Sequence, residues 1–176
     1  MNKSFAVGVS SACAALLLAA VTSAAAADLK ASATLSGKAG AKVSGTVTFT
    51  EHAGTVTADA HLTGVAAGKH GFHIHEKGDC GDVDFKNAGG HFNPTGAQHG
   101  APTDAQHHAG DLGNIDIDVN GHGTLEISSS MLTVTDGPNS VVGKAVIVHE
   151  KADDLKTQPT GDAGGRIACG VVNAEQ

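Results

Sequence analysis

The sequence predicts an all-β domain, an antiparallel sandwich or barrel of about eight short strands. Three observations carry that expectation: helical periodicity is nearly absent beyond residue 27, apolar residues recur at every second position, and Gly, Asp and Asn punctuate the alternating runs. Ala31, Ala33 and Leu35 open the series, followed by Val43, Val47 and Phe49, and then by Val56, Ala58, Ala60 and Leu62. Phe72 and Ile74 come next, then Ile115, Ile117 and Val119, Leu125 and Ile127, and finally Val146 and Val148. On a strand such residues share one face, so each run offers one apolar side to a common core. With no Trp, no Tyr and only five Phe in the chain, Val, Ile, Leu and Ala must fill that core. Residues 76–111 and 150–165 do not alternate; connections longer than ~15 residues are uncommon and usually functional. Both join strands that carry histidines.

The first 27 residues stand apart. Lys3 precedes a small, apolar run from Phe5 to Val21, and Ala24-Ala25-Ala26-Ala27 offers small-x-small cleavage sites before Asp28. This is the layout of a secretory signal peptide over residues 1–27, leaving one domain over residues 28–176. The Leu-rich core is short and no stop-transfer charge cluster follows, so a stable membrane anchor is not expected. Cys13 lies inside the apolar run, with half of that run still to follow, which argues against a lipid attachment there.

Removing Lys3 leaves ten basic against 18 acidic residues, a formal charge of −8. An acidic exported domain is a poor nucleic-acid binder, because phosphates demand basic patches. It can still draw in an anion locally, since steering depends on where charges sit. Cys80 and Cys169 remain after the leader, and an even pair in an oxidising compartment reads as one disulfide. Such a bond closes a loop of about 90 residues, worth roughly 4–5 kcal/mol in the chain-entropy account.

All 11 histidines fall in the domain. In Gly71-Phe72-His73-Ile74-His75, alternation sends Phe72 and Ile74 inward and projects His73 and His75 together from the other face. By itself His-x-His is a weak signal. A second cluster is more specific: His99 lies eight residues after His91, His108 nine further, and Asp111 three beyond that. Three imidazoles and a carboxylate make a closed tetrahedral set that suits zinc. His149 ends the strand Val146-Ile147-Val148 on the face opposite Val146 and Val148, and could complete a nitrogen site with His73 and His75. A thiolate-free imidazole site with an open position is compatible with copper, and residue type alone does not exclude zinc there.

The motifs together resemble the Cu/Zn superoxide dismutase family, along essentially all of residues 30–173. Gly-Phe-His-Ile-His-Glu-Lys-Gly-Asp (71–79) is similar to one family signature, and Gly-Asp-Ala-Gly-Gly-Arg-Ile-Ala-Cys-Gly-Val-Val (161–172) to another. Gly-His-Phe-Asn-Pro (90–94), His-Ala-Gly-Asp-Leu-Gly-Asn (108–114) and Val-His-Glu-Lys-Ala-Asp-Asp-Leu (148–155) fill the interval in the family's order. The leader and the Gly78-Asp79-Cys80 placement resemble the bacterial exported, periplasmic branch. The resemblance implies an eight-stranded Greek-key β-barrel.

It also implies roles. His73, His75, His91 and His149 match copper ligands; His91, His99, His108 and Asp111 match zinc ligands; His91 bridges the two metals, one copper and one zinc per chain. Asp153 matches a carboxylate that orients a copper ligand and a zinc ligand, here His73 and His99. Arg166 matches the guanidinium that holds the superoxide anion. The implied reaction is dismutation of superoxide to dioxygen and hydrogen peroxide by Cu(II)/Cu(I) cycling, with His91 as proton carrier. Among Lys86, Lys151 and Lys156, Lys86 is expected to steer most, because the bacterial branch tends to place such lysines before the bridging histidine. His70 matches a structural hydrogen-bonding position. His107 is set aside as a ligand, because only His108 keeps the three-residue spacing to Asp111. His52, His61 and His122 have no partner pattern and read as surface or turn residues. The competing reading is a periplasmic copper-binding or delivery protein on the same barrel, which would be expected to lack a ligand, the arginine or the orienting acid. The family contains monomers and dimers, so a homodimer is allowed.

Overall fold

The computed structural model describes Met1 and residues 27–175. The expected leader, but for Met1 and Ala27, therefore lies outside the described residues.

Among the described residues nine strands form: β1 (Leu29–Gly37), β2 (Ser44–His52), β3 (Thr55–Thr63), β4 (Gly68–His75), β5 (Asp111–Ile117), β6 (His122–Ser129), β7 (Ala145–His149), β8 (Arg166–Val171) and β9 (Asn173–Ala174). Their order is β2-β3-β6-β5-β4-β7-β8-β1-β9, and the β1–β2 pairing closes the sheet into a barrel. Every named strand pair is antiparallel. Eight strands make the ring, and β9 merely continues the ladder of β8 along β1, with Ser32 opposite Asn173 and Ser36 opposite Cys169. Closure leaves no long free edge to be protected.

The interior is the alternating set read from the sequence. Ala31, Ala33, Leu35, Val47, Phe49, Val56, Ala58, Ala60, Leu62, Phe72, Ile74, Ile115, Ile117, Val146 and Val148 are all buried in one core cluster. Leu125, Ile127 and Val43 are partly buried against it. Val119 departs from the expectation and is 91% exposed. The Asp118 carboxylate accepts from the backbone N–H groups of Asn120 and His122 and closes a turn, so the strand ends at Ile117, before Val119 is reached.

The two long connections contain no strand, only a short 3-10 turn at Lys86–Ala88. They cover the outer face of the barrel where β4, β7 and β8 lie. Phe85 and Ala88 form a second buried cluster with Ala145, Ile147 and Cys169, beside Cys80. The Cys80–Cys169 disulfide fastens that cover, across a sequence separation of 89. This explains why β7 is apolar on both faces, with all five residues buried. A third long connection, residues 130–144, carries no named strand and escaped the sequence reading.

Candidate metal centre

β4 places His73 and His75 under this cover, both 0% exposed. β7 runs beside β4 with Ile147 opposite His73, and ends at His149, where a register shift against β8 sets His149 opposite Arg166. The long connection after β4 returns to form an isolated bridge between His75 and His91. Four ring nitrogens, one each from His73, His75, His91 and His149, thereby lie within 4.8 Å of one another. A second group of four donors, from His91, His99, His108 and Asp111, meets the same limit.

The hydrogen bonds assign one nitrogen of each ring to this work. His73 Nε2 donates to Asp153 Oδ2 at 2.8 Å, His75 Nδ1 to the Gly89 carbonyl at 2.9 Å, and His149 Nδ1 to the Gly164 carbonyl at 3.3 Å. Carbonyls and carboxylates only accept, so the protons are on those atoms. The opposite nitrogens, His73 Nδ1, His75 Nε2 and His149 Nε2, are buried without a partner, as is His91 Nε2. Unpaired buried acceptors are costly, and here they converge. Burial pulls the His73 pKa down to about 4 and that of His149 to about 3, and holds His75 well below its ordinary value. Neutral imidazoles with convergent lone pairs fit copper or zinc.

In the second group Asp111 Oδ1 lies 2.7 Å from His91 Nδ1, 3.0 Å from His99 Nδ1 and 3.2 Å from His108 Nδ1. A tetrahedral zinc with bonds of about 2.0–2.1 Å has ligand-to-ligand edges of roughly 3.4 Å. The donor set fits. Asp111 Oδ2 accepts from the backbone N–H groups of His108 and Gly100, which leaves Oδ1 to face the rings. Burial acts to raise the Asp111 pKa, but the histidine hydrogen bonds outweigh it and hold the carboxyl far below the usual range. Burial likewise opposes protonation of His99; Asp111 and Asp153 overcome it and raise that pKa to about 9. Where three ring nitrogens and a carboxylate converge, a proton substitutes poorly for a divalent cation. His91 alone belongs to both groups, offering Nε2 to one and Nδ1 to the other.

Asp153 links them from behind. Its Oδ2 accepts from His73 and its Oδ1 from His99 Nε2 at 3.0 Å. Arg166 is half-buried, donating from its two terminal nitrogens to the carbonyls of Phe85 and Gly89. It lines a cleft of about 330 Å³ with Lys38, Asp84, Lys86, Gly164 and Gly165. Neither Lys151 nor Lys156 lines that cleft. His70 bonds the carbonyls of His149 and Ala66, and His52, His61 and His122 are exposed.

Three supporting residues escaped the sequence reading. Asn114 exchanges two hydrogen bonds with the Asp153 backbone, and Gln158 brackets the His99 backbone in the same way. Lys38 reaches the Arg166 cleft from the β1–β2 turn and donates to Asp84 at 2.8 Å. Asn114 closes the motif His-Ala-Gly-Asp-Leu-Gly-Asn, which was the one available signal.

Fold and site together define a β-barrel metalloprotein with two adjoining four-donor centres that share a histidine. Residues 43–172 match the copper/zinc superoxide dismutase (SODC) family, and the chain belongs to it. The metals of this family are copper and zinc, and the two donor groups fit them. The chain is 43% identical over 134 residues to an extracellular superoxide dismutase [Cu-Zn] of Caenorhabditis elegans, a match covering 73% of this chain and 60% of that relative's length. It also resembles a crystal structure of the clock protein EA4, with a TM-score of 0.76 and 38% identity, over 83% of this chain and 94% of the other.

Proposed function

We propose that this protein dismutates superoxide to dioxygen and hydrogen peroxide outside the cytoplasm, as an antioxidant enzyme. One observation carries the reading: His91 presents each of its ring nitrogens to a different four-donor group. In this reading His73, His75, His91 and His149 hold copper, and His91, His99, His108 and Asp111 hold zinc. Held by His73, His75, His91 and His149, copper would supply one-electron exchange with superoxide.

The protein's own part is geometric and electrostatic. Arg166 fixes a positive charge beside the copper group, held by the Phe85 and Gly89 carbonyls, where it can pair with a small anion. His91 Nε2 can carry one of the two protons that peroxide needs, while His91 Nδ1 stays with the zinc group. The disulfide and the long connections keep the rings dry and fixed. Lys86 adds steering charge at the cleft that Arg166 lines.

The leader pattern over residues 1–27 and the Gly78-Asp79-Cys80 placement support a bacterial exported enzyme of the periplasm. N-terminal sequencing of the exported protein tests this, with a start near Asp28 expected. A homodimer, which the family resemblance allows, is tested by sedimentation velocity; a single species of monomer mass would remove it.

The decisive assay is dismutation by protein loaded with copper and zinc, with both metals quantified. Rapid turnover that is lost on copper chelation is expected. Arg166→Ala should lower the rate by about tenfold with copper content unchanged, the scale of a lost steering charge. Stoichiometric copper with negligible turnover would instead favour the copper-binding or delivery reading.

A further inference from the structure

His107 and Met131 take no part in either donor group, yet both line the same surface clefts beside the loop that carries His99 and His108. Two clefts open there, of about 270 and 440 Å³, and both are lined by His107 and Met131. His107 is only 9% exposed. Its Nδ1 donates to the His108 carbonyl at 2.7 Å. A carbonyl only accepts, so the neutral ring carries its proton on Nδ1 and leaves Nε2 as a lone pair. No other hydrogen bond is made by this ring among the described residues.

Met131 is partly buried against the barrel core, with its backbone held by an N–H···O bond to Ser129 Oγ at 3.1 Å. Its thioether is soft and polarisable. A thioether beside an imidazole discriminates for Cu(I) against hard cations, and Cu(I) tolerates low coordination numbers. Thioethers also stay available in an oxidising compartment, where paired thiols become disulfides as Cys80 and Cys169 have.

We propose that His107 Nε2 and the Met131 thioether form a third metal-holding site, outside both four-donor groups, that takes Cu(I). Asp111 lines the smaller of the two clefts together with His107, so copper held there would sit beside the metal centre. The inference does not depend on dismutation.

The test is anaerobic titration of Cu(I) into protein already loaded with copper and zinc, against bicinchoninate as competing chelator. One further equivalent per chain is expected, and its X-ray absorption should show a sulfur neighbour, which the nitrogen and oxygen groups cannot supply. Met131→Leu, a swap that conserves volume, should abolish the sulfur signal and weaken retention by about tenfold or more, as expected for disturbing a metal site. His107→Asn keeps an amide N–H to serve the His108 carbonyl while deleting Nε2, and should lose the extra equivalent. No further equivalent in the unsubstituted protein, or one held undiminished by both variants, would overturn the proposal.

Discussion

Asp153 is the residue on which both donor groups depend at once. Its two oxygens take one ring from each, His73 Nε2 and His99 Nε2. Losing such an outer partner usually costs about 10–100-fold in metal affinity. Asp153→Ala is therefore expected to weaken copper and zinc retention together, read by chelator competition for each metal. Unchanged zinc affinity would show that His99 is oriented without it. The same site explains Gly161, whose φ of +68° already favours glycine. A side chain there would run into the Asp153 carboxylate and bring a carbon within 2.7 Å of His99 Nε2. The candidate ligands were legible because strand alternation and short spacings bring them forward; Asp153 and Arg166 needed the family resemblance. Asn114 and Gln158 were not legible as supports, since their partners lie 39 and 59 positions away.

Among the elements, strands exposed to solvent on one face were readable from period two. β7 was readable only in part, because its outer face is buried by Phe85 and Ala88 rather than wetted. The connection over residues 130–144 follows neither pattern, and what holds it is a charge. Glu51 on β2 accepts hydrogen bonds from the backbone N–H of Val134 at 2.7 Å and of Thr135 at 3.1 Å, and from the Thr135 hydroxyl at 3.3 Å. The bonds from Thr135 and Val134 outweigh the small effect of burial and lower the Glu51 pKa. A depressed carboxyl pKa contributes stability that is complete above the unfolded-state value and is lost as pH falls through the folded one. Glu51→Gln should therefore lower stability by about 1 kcal/mol at neutral pH, a charged hydrogen bond discounted for its exposure. The gap from the unsubstituted protein should close in acid, below the folded pKa. A pH-independent gap in thermal denaturation would show that shape, rather than charge, ties this connection down.

At the scale of the whole molecule, the net charge of −7 opposes the approach of a superoxide anion. The proposed reaction then depends on a local exception, the cleft where Lys38, Lys86 and Arg166 meet. Lys38 could not be placed there from the sequence, because the barrel alone brings the β1–β2 turn to the long connection before His91. Asp84 sits between the two lysines, 2.8 Å from Lys38 Nζ and 3.4 Å from Lys86 Nζ, and cancels part of their field. A unit charge roughly 10 Å from the substrate path changes encounter by about twofold in water, and the Debye length is ~8 Å at physiological salt. Lys86→Ala and Lys38→Ala should each lower the second-order rate by about that factor and flatten its fall with ionic strength. Asp84→Asn should do the reverse, giving a faster enzyme at low salt and a steeper salt dependence. The opposite signs matter, because a general loss of folding would slow all three variants alike. Rates for Lys86→Ala and Asp84→Asn that match the parent at every ionic strength would reduce this cluster to a surface ion pair, and leave Arg166 as the cleft's sole hold on the anion.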